Sequence, residues 1–133
     1  MCELEPVVYI VDDDDAVRHS LEWLLGSGNF KIRTFSSADD FLSTIAPNQP
    51  GCLVVDVRMP GMSGLELQRE LSARKIDIPV IVITGHSDRQ MAQRALSAGA
   101  MEFLEKPLDD ERLLDLVQKA LESSSRSLKN KSA

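Results

Sequence analysis

Short runs of apolar residues alternate along the chain with stretches in which hydrophobic residues recur at helical spacing. The runs predict strands at Val7–Val11, Cys52–Val55, Val80–Thr84 and Met101–Leu104, and alternating polarity predicts a further strand, second in chain order, at Lys31–Phe35. The periodic stretches predict five helices, at Ala16–Leu25, from Ser37 onward, and at Gly64–Arg74, Asp88–Ala98 and Asp109–Leu121. Three of the strands are uninterrupted apolar runs, which is typical of a parallel sheet covered on both faces. The pattern therefore predicts an α/β fold, a (βα)5 doubly wound, five-stranded parallel sheet.

The predicted domain organisation follows from the length of the chain and from its last residues. A chain of 133 residues suits one domain, and the predicted elements place that domain at residues 1–122. Residues 123–133 are rich in serine and have no apolar period. They are interpreted as a frayed tail or linker.

The composition argues against several classes of function. With a net charge of −6, these residues are not expected to bind nucleic acid themselves, because that requires Lys and Arg to neutralise phosphates. No apolar run approaches the roughly 18 residues of a membrane-spanning helix, and the N-terminus lacks the pattern of a signal peptide. Cys2 and Cys52 are too few for a disulfide framework, and Cys52 lies in an apolar run that indicates a buried, inert thiol. These features favour a reducing cytoplasm.

Polar side chains stand at or just past the ends of four predicted strands. Asp12 and Asp13 follow the first strand, and Asp56 follows the third. Thr84 ends the fourth strand, and Lys106 comes just after the fifth. Because sites in open α/β sheets form at the carboxyl ends of the strands, we expect these residues to converge.

The residue types at this edge indicate phosphoryl-transfer chemistry. Three carboxylates packed together raise one another's pKa values, and a hard divalent cation such as Mg²⁺ removes that penalty. One carboxylate can then attack a phosphoryl group as a nucleophile. The metal, Lys106 and the Thr84 hydroxyl can share the charge on the equatorial oxygens.

Each of these residues also has an ordinary structural interpretation. An acidic run usually begins a helix at the positive end of its dipole, and Asp14 and Asp15 are expected to do so. Taken alone, Asp56 can be a loop cap, Thr84 a structural hydroxyl and Lys106 a surface lysine. Their coincidence at the ends of four strands of one sheet is what favours a functional site.

The segments that carry these residues resemble the receiver domain of two-component response regulators. The resemblance covers about residues 5–122 and rests on VDDDD after the first strand, VVDVRMPGMSG around Asp56, VIVITGHSD around Thr84 and AMEFLEKP before Leu108. It implies a flavodoxin-like receiver fold, phosphorylation by a sensor histidine kinase, and a switch rather than an enzyme with its own turnover. The RMPGMSG and ITGH segments are most similar to the FixJ-like subgroup, whose members usually carry a C-terminal helix-turn-helix output domain. Residues 123–133 would then lead to an output domain absent from this chain.

The resemblance also implies a role for each site residue. Asp56 matches the phosphoacceptor and a ligand of Mg²⁺ or Mn²⁺. Asp13 matches the direct metal ligand, Asp12 a neighbour that acts through water, and the backbone carbonyl of Arg58 a further ligand. Thr84 matches the switch hydroxyl, and Lys106 matches the lysine that contacts the phosphate. Phe103 matches the switch aromatic. Arg58 and His86 match two residues that tune dephosphorylation. The Lys106-Pro107 peptide is often cis in this family.

Other classes share parts of this pattern. A haloacid dehalogenase phosphohydrolase also uses an aspartate nucleophile, but in that class the nucleophile usually follows the first strand, whereas Asp56 follows the third. Such an enzyme also has a second Asp where this chain has Arg58. A flavodoxin-like cofactor binder needs a phosphate-cradling loop after the first strand, where Asp12–Asp15 would repel phosphate. Within the resembling family, a stand-alone receiver that relays or drains phosphate is a further alternative.

Phosphorylation is expected to act through one face of the domain. If Thr84 shifts toward the phosphate and Phe103 turns inward, the moving parts are the Asp88–Ala98 helix, the fifth strand and the Asp109–Leu121 helix. Acidic and basic residues mix on this face, which suits an isologous dimer. We therefore expect phosphorylation to favour a homodimer through this face, with DNA bound by the missing output domain.

Overall fold

Five strands and five helices alternate in the computed structural model. The structure describes residues 6–28, 30–45, 49–57, 59, 61–85 and 89–132. Side chains are described as far as residue 123. In chain order they are β1 (Val7–Val11), α1 (Asp15–Gly26), β2 (Lys31–Phe35), α2 (Ala38–Thr44), β3 (Gly51–Asp56), α3 (Gly64–Ala73), β4 (Val80–Thr84), α4 (Arg89–Ser97), β5 (Glu102–Glu105) and α5 (Asp110–Ser132). The predicted (βα)5 order is confirmed.

The strands form one parallel sheet in the order β2-β1-β3-β4-β5. The chain places β2 on one side of β1 and β3 on the other, so the direction of winding reverses between β1 and β3. In doubly wound sheets this reversal leaves a crevice at the carboxyl ends of the strands. Because Val11 pairs with Val55, the residues that follow them, Asp12 and Asp56, come to neighbouring positions at that edge.

Apolar layers cover both faces of the sheet. On one face, the Phe41 ring packs edge-on against Tyr9 and Phe35, with ring centroids 5.2 and 5.7 Å apart, and residues of α3 and α4 complete the cluster. On the other face, α1 and α5 pack against β1, β3 and β4. All residues of β1, β3 and β4 are buried, as the uninterrupted apolar runs predicted.

The helix α5 is longer than the sequence predicted. Residues 123–132, interpreted as a frayed tail or linker, continue the helix to Ser132. Extending an existing helix costs far less free energy than starting one, and Lys and Leu favour helix, so a segment without an apolar period can still be helical. That this segment leads to an output domain remains a prediction.

Other boundaries differ from the prediction by one or two residues. Ser37, where the sequence predicted the helix to start, is the N-cap of α2, since its Oγ accepts from the Asp40 amide at 3.2 Å. Asp109 caps α5 by accepting from the Arg112 amide at 3.2 Å, and the helix itself begins one residue later. The start of the predicted Asp88–Ala98 helix lies outside the described residues, and α4 is described from Arg89.

Two of the exclusions drawn from composition have structural counterparts. Cys52 is fully buried in β3, and burial raises the pKa of its thiol to about 12. This agrees with an inert thiol, because the thiolate is the reactive form. In the part of the chain that the structure describes, no helix is both long and apolar enough to cross a membrane.

Candidate functional site

The loop after β1 presents one buried and one exposed carboxylate. Asp12 has 1% of its surface exposed, whereas Asp13 is exposed. The Asp12 amide donates to the Phe35 carbonyl at 3.2 Å, and its Oδ1 accepts from the Asp14 amide at 2.9 Å. Its Oδ2 is buried and has no hydrogen-bond partner among the described residues. One oxygen of Asp12 is therefore held by the loop while the other remains available to a ligand.

An ammonium–carboxylate pair joins the ends of β3 and β5. Lys106 Nζ lies 3.1 Å from Asp56 Oδ2. The Lys106 side chain is 39% exposed and that of Asp56 is 11% exposed, so the pair lines an open edge rather than the core. The Lys106 amide donates to the Thr84 carbonyl at 2.9 Å, and the Lys106-Pro107 peptide is cis, as the resemblance implied.

Negative charge is in excess at this edge. The pKa of Asp12 is raised to about 6, first by burial and then by the charges of Asp56 and Asp13, against the opposing Asp14 amide and Lys106. Burial lowers the pKa of Lys106, but its hydrogen bond to Asp56 and the nearby acidic charges outweigh burial and raise the pKa overall. A bound cation would relieve the repulsion that these shifts report.

The hydroxyl of Thr84 is buried without a described partner. The residue is 0% exposed at the end of β4, and Oγ1 makes no hydrogen bond within the described residues. An unsatisfied buried polar group costs about 1–3 kcal/mol. A structural hydroxyl would normally be satisfied, so this one fits a group that meets its partner only when a ligand or a conformational change supplies it.

The oxygen donors fit a hard divalent cation that keeps part of its water shell. Among the described residues, no three His, Cys, Asp or Glu side chains are grouped so that they alone could hold a metal. Mg²⁺, however, usually binds through one or two carboxylates and retains several waters. The unpartnered Asp12 Oδ2 and the acidic character of the edge fit such an ion. The backbone carbonyl of Arg58, which was predicted as a ligand together with Asp12, Asp13 and Asp56, lies outside the described residues.

The comparison with protein families decides what kind of domain carries this edge. The family model for the response regulator receiver domain matches residues 8–118. The chain belongs to this family. The match includes Asp12, Asp13, Asp56, Thr84 and Lys106, so all five residues predicted at the strand ends lie inside the receiver domain.

Curated relatives of this receiver include transcriptional regulators. The transcriptional regulatory protein FixJ of Azorhizobium caulinodans is 49% identical over 114 residues, covering 86% of this chain and 54% of the relative. The response regulator protein TmoT of Ectopseudomonas mendocina is 44% identical over 130 residues, covering 98% of this chain and 59% of the relative. The chain therefore spans between half and three fifths of the length of these relatives.

Solved structures give the same assignment. The crystal structure of FixJ-N superposes with a TM-score of 0.82 at 46% identity, covering 92% of this receiver and 96% of that chain. The low-resolution structure of the response regulator StyR gives a TM-score of 0.91 at 45% identity, covering 96% of this receiver and 65% of that chain. The receiver fold predicted from the sequence is thus confirmed.

The predicted switch residues of the receiver lie on the same side of the sheet. Phe103 in β5 pairs with Val82, and Thr84 pairs with Glu105 two residues further along. Residues two apart on a strand share a face, so Phe103 and Thr84 lie on the same face of adjacent strands. Phe103 is half-buried against the cluster that contains Val82. The two residues therefore share a face of the sheet on adjacent strands.

Two contributors to the receiver site were not predicted. Arg18 in α1 bonds to the loop that carries Asp12. Gly64 begins α3 so close to β3 that a Cβ would lie 2.9 Å from the Asp56 carbonyl oxygen and 3.0 Å from Val57 Cα. Gly64 was predicted only as the first residue of the Gly64–Arg74 helix, and its close approach to β3 becomes evident only when α3 packs on β3.

Proposed function

We propose that this receiver accepts a phosphoryl group on Asp56 from the phosphohistidine of a sensor histidine kinase, in a reaction that depends on Mg²⁺ (or Mn²⁺). The observation that carries the proposal is the pairing of Asp56 with Lys106 at 3.1 Å, beside an Asp12 oxygen and a Thr84 hydroxyl that lack partners among the described residues. The domain would act on itself and not turn over an external substrate.

In the proposed reaction a carboxylate oxygen of Asp56 forms the new bond to phosphorus while the bond from phosphorus to the donor nitrogen breaks. The donor imidazole leaves with that electron pair. Mg²⁺, held by Asp12, Asp13, Asp56 and the Arg58 backbone carbonyl, would neutralise charge that builds up on the phosphoryl oxygens. Lys106 would transfer its contact from the Asp56 carboxylate to the phosphate.

The proposed switch starts from the new oxygens. An aspartyl phosphate adds charge and three strong acceptors at one point. The Thr84 hydroxyl, which lacks a described partner, could then donate to one of them and move toward the site. Phe103, on the same face one strand away, would turn into the space that Thr84 leaves. Arg58 and His86, outside the described residues, would tune the lifetime of the phosphate.

Phosphorylation by acetyl phosphate tests the proposal without knowledge of the kinase. We expect intact mass spectrometry to show one added phosphoryl group with Mg²⁺ present and none with EDTA, because the carboxylate edge repels an anionic donor until a cation neutralises it. Asp56→Asn should remain unmodified under both conditions. Modification that persists in Asp56→Asn, or that is equal with EDTA, would contradict the proposal, and steady hydrolysis of a phosphate monoester would favour a phosphohydrolase.

The output of the switch is proposed from the relatives. FixJ of Azorhizobium caulinodans is named a transcriptional regulatory protein, and this chain covers 54% of it. We infer that the receiver works in the cytoplasm as part of a longer regulator whose C-terminal domain binds DNA. The net charge of −6 supports assigning DNA binding to that other domain.

Phosphorylation is further proposed to favour a homodimer through α4, β5 and α5. On this face Arg89 Nε lies 2.5 Å from Glu105 Oε1, and Arg112 Nη2 lies 3.5 Å from Glu102 Oε2. Both pairs join neighbouring elements within one subunit. In an isologous dimer the same charges can pair across the two-fold axis, where each patch meets its own copy.

Light scattering with and without beryllofluoride checks the dimer. We expect the mass to rise toward that of a dimer when the phosphoryl mimic is present, and Arg112→Glu to weaken this dimer because it places like charges together at the face. Arg33→Glu makes the same charge change on β2, at the opposite edge of the sheet, and should not affect the dimer. A monomer mass with the mimic at high protein concentration would refute the dimer and leave the role of Asp56 untouched.

A further inference from the structure

Arg18 folds back from α1 onto the loop that carries the acidic residues. Its Nη1 donates to the main-chain carbonyl of Asp12 at 2.6 Å, and its Nη2 forms an ion pair with Asp15 Oδ1. Only 14% of the Arg18 side chain is exposed, although its partner Asp15 is 79% exposed. The guanidinium is therefore packed against the loop and does not simply extend into solvent.

Two electrostatic effects oppose a cation at this position, although the neighbouring carboxylates attract it. Arg18 lies in the first turns of α1, and a positive charge is disfavoured near the N-terminus of a helix. It also stands beside the carboxylates that are proposed to bind Mg²⁺, where a fixed positive charge opposes the binding of another cation. An exposed ion pair three residues apart contributes only a few tenths of a kcal/mol, so the pair with Asp15 does not account for the arrangement.

The hydrogen bond from Arg18 to the Asp12 carbonyl does account for the position of Arg18, because it is one of three hydrogen bonds that hold Asp12 in place. The Asp12 amide donates to Phe35, its carbonyl accepts from Arg18, and its Oδ1 accepts from the Asp14 amide. Three bonds of different directions leave Asp12 little freedom to rotate. Oδ2 is the polar atom of this residue that has no described partner, and it is held at the edge of the site.

We propose that Arg18 is a positioning residue for the divalent cation: it fixes the main chain at Asp12 so that the carboxylate presents Oδ2 to the metal site. This proposal rests on the metal dependence in the proposed function. Arg18 acts through Asp12 and does not itself touch the metal or the phosphoryl group. Preorganisation of this kind raises affinity by removing the cost of ordering a ligand when the ion binds.

The sign of the change in Mg²⁺ affinity separates positioning from simple electrostatics. If Arg18 acted only as a charge, Arg18→Met would tighten Mg²⁺ binding by removing a repulsive cation. If it positions Asp12, the same variant weakens Mg²⁺ binding, by about tenfold for the loss of one charge-assisted hydrogen bond. Arg18→Lys keeps the charge but cannot bridge two acceptors with a planar fork, so it should also weaken binding.

Arg74 provides a matched control far from the site. Arg74 is the C-cap of α3, its Nε pairs with Glu70 Oε1 of that helix at 2.8 Å, and its Nη1 donates to the main-chain carbonyl of Leu42 at 3.3 Å. Arg74→Met therefore removes the same charge, the same kind of ion pair and the same kind of carbonyl contact as Arg18→Met. It should leave Mg²⁺ affinity unchanged.

The experiment is calorimetric titration of Mg²⁺ into the wild type, Arg18→Met, Arg18→Lys and Arg74→Met, with circular dichroism to confirm that each is folded. Weaker binding in both Arg18 variants, with wild-type affinity in Arg74→Met, supports positioning. Equal or tighter binding in Arg18→Met overturns it, and if that variant does not fold, wild-type affinity in Arg18→Lys overturns it instead. A wild type that binds no Mg²⁺ would refute the proposed metal dependence itself, and the inference with it.

Discussion

Gly51→Ala is expected to remove a large part of the free energy of unfolding of this protein, because the added methyl group would lie 2.1 Å from the carbonyl oxygen of Val7. Val7 pairs with Gly51 on one side and with Lys31 on the other, so β1 cannot move away without disturbing both ladders. The clash is with the main chain, which has no alternative rotamer to adopt. We expect a loss above about 4 kcal/mol, against roughly 5–15 kcal/mol for a typical domain.

Urea denaturation followed by far-UV circular dichroism measures this loss. Gly26→Ala is the matched control, since Gly26 ends α1 and a Cβ built on it meets no atom within 4 Å. That variant should be as stable as the wild type or more stable by about 0.5–1 kcal/mol, because alanine loses less backbone entropy on folding. Similar unfolding midpoints for the two variants would contradict the predicted clash between a side chain at position 51 and the Val7 carbonyl.

The strands could be predicted closely because a strand buried on both faces leaves an apolar run in the sequence and a partly exposed strand leaves an alternating one. Val7–Val11, Lys31–Phe35 and Val80–Thr84 have the same bounds in the structure as in the prediction. The start of β3 at Gly51 was missed, because a glycine carries no apolar signal and its place opposite Val7 is known only once the strands pair. The helix through residues 123–132 was missed for a related reason, since propagation of a helix leaves no apolar period.

The members of the candidate site could also be predicted, but not how each is held. The strand ends gave Asp56, Lys106 and Thr84, because the topology of a parallel sheet brings its carboxyl ends together. Sequence could not show that Asp12 is buried while Asp13 is exposed, since both follow the same strand. Nor could it show that Arg18 returns to the Asp12 carbonyl, because the spacing of Arg18 from Asp15 equally predicts an ordinary helix-surface pair.

The buried Asp12 carboxyl is expected to make the metal-free protein less stable as pH rises. The pKa of Asp12 is about 6 in the folded protein, against an ordinary value of 3.8. Between these two values the folded state holds a proton that the unfolded state has released. Stability therefore falls with rising pH across that window, and the loss is nearly complete by about pH 7.

The size of the effect can be bounded from the same shift. A change of one unit in pKa corresponds to about 1.4 kcal/mol, so the free energy of unfolding should be about 1–2 kcal/mol higher near pH 5 than near pH 7.5 without metal. Other groups titrate over this range. The contribution of Asp12 is therefore the difference between the pH profiles of the wild type and Asp12→Asn.

Asp12→Asn is expected to behave in opposite ways with and without Mg²⁺. Without metal near pH 7.5, the neutral amide is not penalised by burial or by the charges of Asp56 and Asp13, so the variant should be more stable than the wild type. With Mg²⁺ the order should reverse, because an ion that binds only the folded state stabilises it in proportion to its affinity and the variant has lost a carboxylate. Thermal unfolding in EDTA and in Mg²⁺ at the two pH values measures both halves. Parallel profiles of stability against pH for the two proteins in EDTA would show that the ionised carboxylate of Asp12 does not destabilise the metal-free protein.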